Sequence, residues 1–81
     1  MIDIIMPKSG ITMEEGTVVQ WHRQVGDTVE KGDILVSIET DKSLLDLEAP
    51  ATGILDQILV KADETVSVGT LIGYLREPGV S

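Results

Sequence analysis

Apolar and polar residues trade places along this chain in short runs, and glycine, proline or aspartate interrupts them every few positions. Met1 to Met6 reads as a first strand that Pro7 ends, because proline has no N–H to continue a ladder. Lys8 to Gly16 follows as a loop between glycines, and its Ile11 and Met13 suit a surface loop that packs itself down. Thr17 to Gln24 returns to strand pattern around Val18, Val19 and Trp21, and Val25-Gly26-Asp27 is a glycine-centred turn. Thr28-Val29 has room only for a very short strand before Lys31-Gly32-Asp33. Ile34 to Glu39 is aliphatic and β-branched, and beyond a break at Asp41-Lys42 the residues Leu45, Leu47 and Ala49 alternate with Asp46 and Glu48. Pro50 to Gly53 is another turn, after which Ile54 to Val60, Thr65-Val66 and Leu71 to Leu75 give three more strands. No segment holds ten residues of helical period, so the pattern predicts an all-β fold of about eight short strands. The periodicity stops at Arg76, which sets a domain over 1–76 and a tail or start of a linker over 77–81.

The punctuation repeats. An offset of 37 residues carries Gly16 onto Gly53, Gln20 onto Gln57, Thr28-Val29 onto Thr65-Val66 and Gly32 onto Gly69. Glycines mark specific backbone bends, so two matched glycine pairs enclosing a matched Thr-Val imply two similar halves. Packed face to face, such halves predict a flattened barrel or sandwich of two four-stranded antiparallel sheets with a pseudo-twofold axis. The turn at Lys42 follows the first copy and the tail follows the second, so the two are expected at opposite ends. Inward strand phases nominate Val18, Trp21, Val29, Leu35, Ile38, Leu47, Ile58, Val66 and Ile72 as the core, with Trp21 largely buried. One match fails: Asp63 stands where the first half has Gly26, so a bend that requires positive φ there carries a cost.

Composition narrows the function. A chain of 81 residues buries only about 60% of its unfolded surface and has room for one core without an active-site cleft. Cysteine is absent, which excludes disulfides and thiolate chemistry, and a lone His22 makes no metal site. A formal charge of −8 argues against nucleic acid or an anionic membrane as partner. Met1 leads straight into a strand with no apolar leader, so a cytoplasmic address is expected, bacterial rather than the mitochondrial matrix, for a monomeric domain. No constellation of catalytic side chains is present.

What remains is Lys42. A turn between two strands holds its outward side chain clear of the body, so this lysine projects on a flexible stem and suits a tether better than a catalyst. An amine in water near neutral pH is protonated and cannot attack an activated acyl group, so any enzyme that modifies it must first take its proton. Glu39 and Asp41 flank it as candidate recognition groups, with Thr40 and Ser43 completing the turn.

Met6-Pro7-Lys8, Met13 to Gly16, Val25-Gly26-Asp27, Val29 to Asp33, Ile38 to Lys42, Glu48-Ala49-Pro50 and Gly53, taken in order and spacing, resemble the biotinyl/lipoyl attachment domains. Within them the likeness is to the lipoyl domains of dihydrolipoamide acyltransferases in 2-oxo acid dehydrogenase complexes. It covers nearly the whole chain and implies a barrel-sandwich hybrid that is not itself an enzyme. It further implies lipoic acid in amide linkage on Lys42, attached by a lipoate ligase or lipoyl transferase. The resulting swinging arm would take an acyl group from a thiamine-diphosphate-dependent 2-oxo acid dehydrogenase and pass it to an acyltransferase core. A dihydrolipoamide dehydrogenase would reoxidise it. Ser43 departs from the alanine usual after the lysine. The rival readings are a biotin carboxyl carrier, in which methionines usually flank the lysine, the longer lipoyl carrier of glycine cleavage, and an unmodified structural module. Asp41 and Ser43 weigh against the first, the chain length against the second and the intact Asp41-Lys42 turn against the third.

Overall fold

The computed structural model describes residues 1–8 and 13–78. Ile11 of the first loop and the end of the tail lie outside them. The described chain forms eight strands: β1 (Ile2–Ile5), β2 (Glu15–Trp21), β3 (Thr28–Val29), β4 (Ile34–Glu39), β5 (Leu44–Glu48), β6 (Gly53–Ile58), β7 (Thr65–Ser67) and β8 (Leu71–Arg76). Two antiparallel sheets result, one ordered β5-β4-β2-β7 and the other β1-β8-β6-β3. The second strand ends at Trp21 rather than Gln24 because the Gln24 amide turns away to donate to the Asp27 carboxylate, 2.8 Å. The sixth ends before Val60 for the matching reason, the Lys61 amide donating to Glu64 at 2.8 Å.

The repeat is present down to register. In the β2–β4 pair Val18 faces Ile38, Gln20 faces Ser37 and Trp21 faces Val36, and in the β6–β8 pair Leu55 faces Leu75, Gln57 faces Tyr74 and Ile58 faces Gly73. Each pairing skips one residue at the same place, between Val18 and Gln20 and between Leu55 and Gln57. The halves do not simply stack face to face, however. Each gives its short strand to the other's sheet, since β3 pairs with β6 and β7 with β2. The turns that lead into those strands brace the crossing. Gly26 donates to the Leu55 carbonyl and Asp63 to the Val18 carbonyl, both at 2.7 Å, while Leu55 and Val18 return bonds of 2.9 Å to Asp27 and Glu64.

Val18, Val29, Leu35, Ile38 and Ile72 lie fully buried between the sheets, as their strand phases predict. Trp21, Leu47, Ile58 and Val66 do not join them. They are half-buried and pack against the core from its margin. For Trp21 the cause is polar: its indole N–H donates to the Val60 carbonyl at 2.8 Å, which holds the ring at the seam rather than inside. Leu47 and Val66 sit on edge strands with a neighbour on one side only. Their places in the core are taken by Ile4, Met6, Val36, Leu55 and Leu75, with Met13, Ala49 and Val60 almost as deep. Among the described residues no polar or charged side chain is buried.

Candidate functional site

β4 and β5 pair as far as Glu39 and Leu44, which leaves residues 40 to 43 to reverse the chain. A four-residue hairpin loop is most often built around a type I turn, which needs no positive φ at its tip. Among the described residues Asp63 is the one non-glycine with positive φ, so Asp41 and Lys42 turn the chain with φ in the ordinary negative range. Thr40 ties this turn. Its amide donates to the Ser43 carbonyl at 2.9 Å, and its hydroxyl donates to the same carbonyl at 2.9 Å. That hydroxyl also accepts from the amides of Ser43 at 3.1 Å and Lys42 at 3.3 Å. Thr40 is half-buried, whereas Asp41, Lys42 and Ser43 are exposed.

The structure therefore brings all five nominated residues to one hairpin, with Lys42 at its tip and Glu39 in the last rung beneath it. It adds neighbours that the sequence does not announce. Glu39 faces Thr17 across β2, and Thr17 faces Thr65 across β7, the two threonine hydroxyls 2.7 Å apart. Beside the turn lies an open depression lined by Glu14, Glu15, Gly16, Thr17, Glu39, Thr40, Asp41 and Thr65. Four carboxylates thus share this end of the molecule with Lys42. Glu14 and Glu15 were readable only as loop polar residues, since their arrival here depends on the long-range β2–β7 pairing. Leu44, the first residue past the turn, is 63% exposed and gives the same region one apolar side chain.

The floor under the turn is apolar. Ile38 is fully buried, and Gly16 lies so close that a Cβ there would stand 2.7 Å from the Met6 sulfur and 2.9 Å from Ile38. Met6 and Met13, on either side of the first loop, are both buried and close over Gly16. The hairpin is thus a short polar tip on a packed base, with Lys42 exposed upon it.

The family model described as "Biotin-requiring enzyme", covering biotin and lipoyl attachment, matches residues 2–75. The chain belongs to the biotinyl/lipoyl attachment family. A dihydrolipoyllysine acetyltransferase component of the acetoin cleaving system from Bacillus subtilis is 41% identical over 80 residues, 99% of this chain and 20% of that protein. A succinyltransferase component of the 2-oxoglutarate dehydrogenase complex from the same organism is 40% identical over 95% of this chain and 18% of its own length. The pyruvate dehydrogenase E1 subunit beta of Rhizobium meliloti is also 40% identical, over 96% of this chain and 17% of its length. The chain thus spans about a fifth of the length of these relatives. Among solved structures it is similar to the lipoyl domain of the 2-oxoglutarate dehydrogenase complex of Azotobacter vinelandii. The TM-score is 0.81 at 37% identity, with 98% of this chain and all of that one covered. Lipoyl domains of this family are small non-catalytic carriers that hold lipoic acid covalently on a lysine. An exposed lysine at the tip of a braced hairpin fits such a group, since an amide-linked arm needs reach and no enclosing pocket.

Proposed function

We propose that Lys42 is the attachment point of the lipoyl group and that this lipoyl domain serves as the mobile carrier of a 2-oxo acid dehydrogenase complex. The observation that carries the assignment is the hairpin itself: Lys42 stands exposed at its tip, on a turn tied by Thr40 and based on buried Ile38. When bound, the lipoyl dithiolane supplies the acyl-accepting and redox chemistry. The chain supplies the tether, the reach and a surface to be read. Lys42 contributes its flexible stem, the paired strands fix where that stem starts, and tethering keeps the arm at raised effective concentration near each partner. Glu39 and Asp41, with Glu14 and Glu15 beside them, give partners an acidic face, so the matching surfaces on a lipoate ligase and on the 2-oxo acid dehydrogenase are basic ones. The acyltransferase core and dihydrolipoamide dehydrogenase complete the set of partners, in the cytoplasm of a bacterium.

Intact-mass measurement of the chain after incubation with a lipoate ligase, lipoate and ATP tests the assignment. The expected result is the gain of one lipoyl group on the native chain and none on Lys42→Arg, because a guanidinium cannot form the amide. Lys42→Arg should melt within about 4 °C of the native chain, since exposed substitutions away from strain and packing change stability by less than about 0.5 kcal/mol. A lipoyl group on Lys31 or Lys61 of the variant, or a biotinyl adduct in place of the lipoyl one with a biotin ligase, would overturn it.

A further inference from the structure

We propose that the Thr40 hydroxyl is a positioning group for lipoylation: by closing the turn it places the Lys42 amine for acyl transfer, a role separate from recognition and from stability. The proposal rests on the lipoyl-lysine reading above and names the residue through which that site is set. A threonine hydroxyl has one proton to give and two lone pairs to receive with. Here all three are used within the turn, the proton on the Ser43 carbonyl and the lone pairs on the amides of Lys42 and Ser43. The same residue's backbone amide adds a further bond to Ser43. One half-buried side chain therefore fixes the peptide on both sides of the Lys42 Cα, while the residues it ties are themselves exposed.

That side chain supplies the turn with bonds that its backbone alone does not. The Ser43 amide, at the far side of the turn, donates to the Thr40 hydroxyl at 3.1 Å. Threonine is also stiff about χ1, so its hydroxyl is held in one place rather than sampled. The bonds lie at the surface, where water replaces them at little cost, so their loss changes the position of the lysine far more than the stability of the fold.

In the transfer step the neutral Lys42 amine attacks the carbonyl carbon of a lipoyl group activated as a mixed anhydride with a nucleotide phosphate. The C–N bond forms as the C–O bond to phosphate breaks, the nucleotide leaves with that electron pair, and the surplus amine proton passes to the ligase or to water. Such a step is sensitive to placement, a displacement of about 1 Å costing on the order of a hundredfold in rate. Recognition of the surrounding acidic face is not sensitive in the same way, because long side chains adapt.

The test compares the native chain with Thr40→Val, which keeps the shape and removes the hydroxyl, and Thr40→Ser, which keeps the hydroxyl and removes the methyl. Lipoylation by a lipoate ligase is followed by intact mass across a range of domain concentrations, and amide hydrogen exchange is read at Lys42 and Ser43. For Thr40→Val the expected result is a maximal rate lower by about ten- to a hundredfold with the half-saturating concentration within about threefold of native. Exchange should quicken at Lys42 and Ser43 but not at Ile38, and Thr40→Ser should recover most of the rate. Native-rate modification of Thr40→Val, an equal loss in Thr40→Ser, or a loss confined to half-saturation would overturn the proposal. A native chain that takes no lipoyl group at Lys42 would instead overturn the reading on which it rests.

Discussion

A single residue can mark where the two halves of this chain ceased to be interchangeable. Gly26 and Asp63 occupy matching turns, make matching 2.7 Å bonds across the molecule and share positive φ, 98° and 72°. The concern raised by Asp63 in the sequence therefore resolves in one direction: the bend keeps its left-handed shape and the aspartate carries the strain. A side chain other than glycine pays roughly 1 kcal/mol or more there, and aspartate less than most. Asp63→Gly should stabilise the fold by up to about 1 kcal/mol, whereas Asp63→Ala should destabilise it by about 1 kcal/mol. Urea midpoints at constant slope would measure both, and an Asp63→Gly chain less stable than the native one would show that the carboxylate matters more than the backbone. This residue was legible only because the repeat supplied its glycine partner; alone, Ala62-Asp63-Glu64 reads as an ordinary polar turn. Trp21 shows the reverse: its inward strand phase is legible and it packs against the core, while the carbonyl that holds its indole at the seam comes from Val60, far along the chain.

At the scale of the element, the strands were legible and their inward faces only partly so. Strict alternation allows one of two consecutive residues inside, yet Leu35 and Val36 are both fully buried because the pairing of β4 with β5 shifts register between Ile34 and Val36. The repeat was the better guide: Leu55 and Leu75 are the counterparts of Val18 and Ile38, and all four are fully buried. It also matches Gly16 with Gly53, and here the surroundings separate them. A Cβ at Gly53 would stand 2.6 Å from the Arg76 carbonyl oxygen, part of a strand that cannot yield, while at Gly16 the near atoms, the Met6 sulfur at 2.7 Å and the Ile38 Cγ2 at 2.9 Å, belong to side chains. Thioether side chains swing aside more readily than backbone does. Gly53→Ala should therefore cost about 1 to 3 kcal/mol by overpacking and Gly16→Ala distinctly less, as thermal or urea unfolding of the two variants would report. A Gly16→Ala chain as damaged as Gly53→Ala would mean that Met6 is locked and that the base of the lysine hairpin is stiffer than its side chains suggest.

Across the whole molecule, the pseudo-twofold poses the question of why only one end would be modified under the proposal that Lys42 holds the lipoyl group. The pairing of β8 with β1, Leu75 opposite Ile2, repeats that of β4 with β5, Ile38 opposite Leu45, so the place where Arg76 and Met1 meet is the counterpart of the lysine turn. What surrounds it differs in charge. The offset of 37 carries Glu14 and Glu15 onto Ala51 and Thr52, Thr17 onto Ile54, and Glu39 onto Arg76, which pairs with Asp56 at 3.6 Å. Among the described residues the lysine end therefore has an acidic platform that the matched positions of its counterpart lack, a difference invisible to hydrophobic pattern because it resides in exposed residues of two separate strands, β2 with the residue before it and β4. The experiment that separates turn from platform closes the backbone into a ring, joining Arg76 to Met1 through Thr-Asp-Lys-Ser in a chain that also carries Lys42→Arg. Register makes that linker occupy the place that residues 40 to 43 hold in the first half, so the new hairpin should form and the ring should melt no lower than the open chain. If a lipoate ligase reads the acidic platform together with the hairpin, the linker lysine should be modified at least about tenfold more slowly than Lys42 of the native chain, the effect of a few charges lost from an encounter surface. Intact-mass time courses at low and high salt would decide it, with the native rate falling as salt rises and the ring's rate scarcely moving. Equal rates for the two lysines would show that a braced Thr-Asp-Lys-Ser hairpin is sufficient by itself, and that Glu14, Glu15 and Glu39 serve other partners.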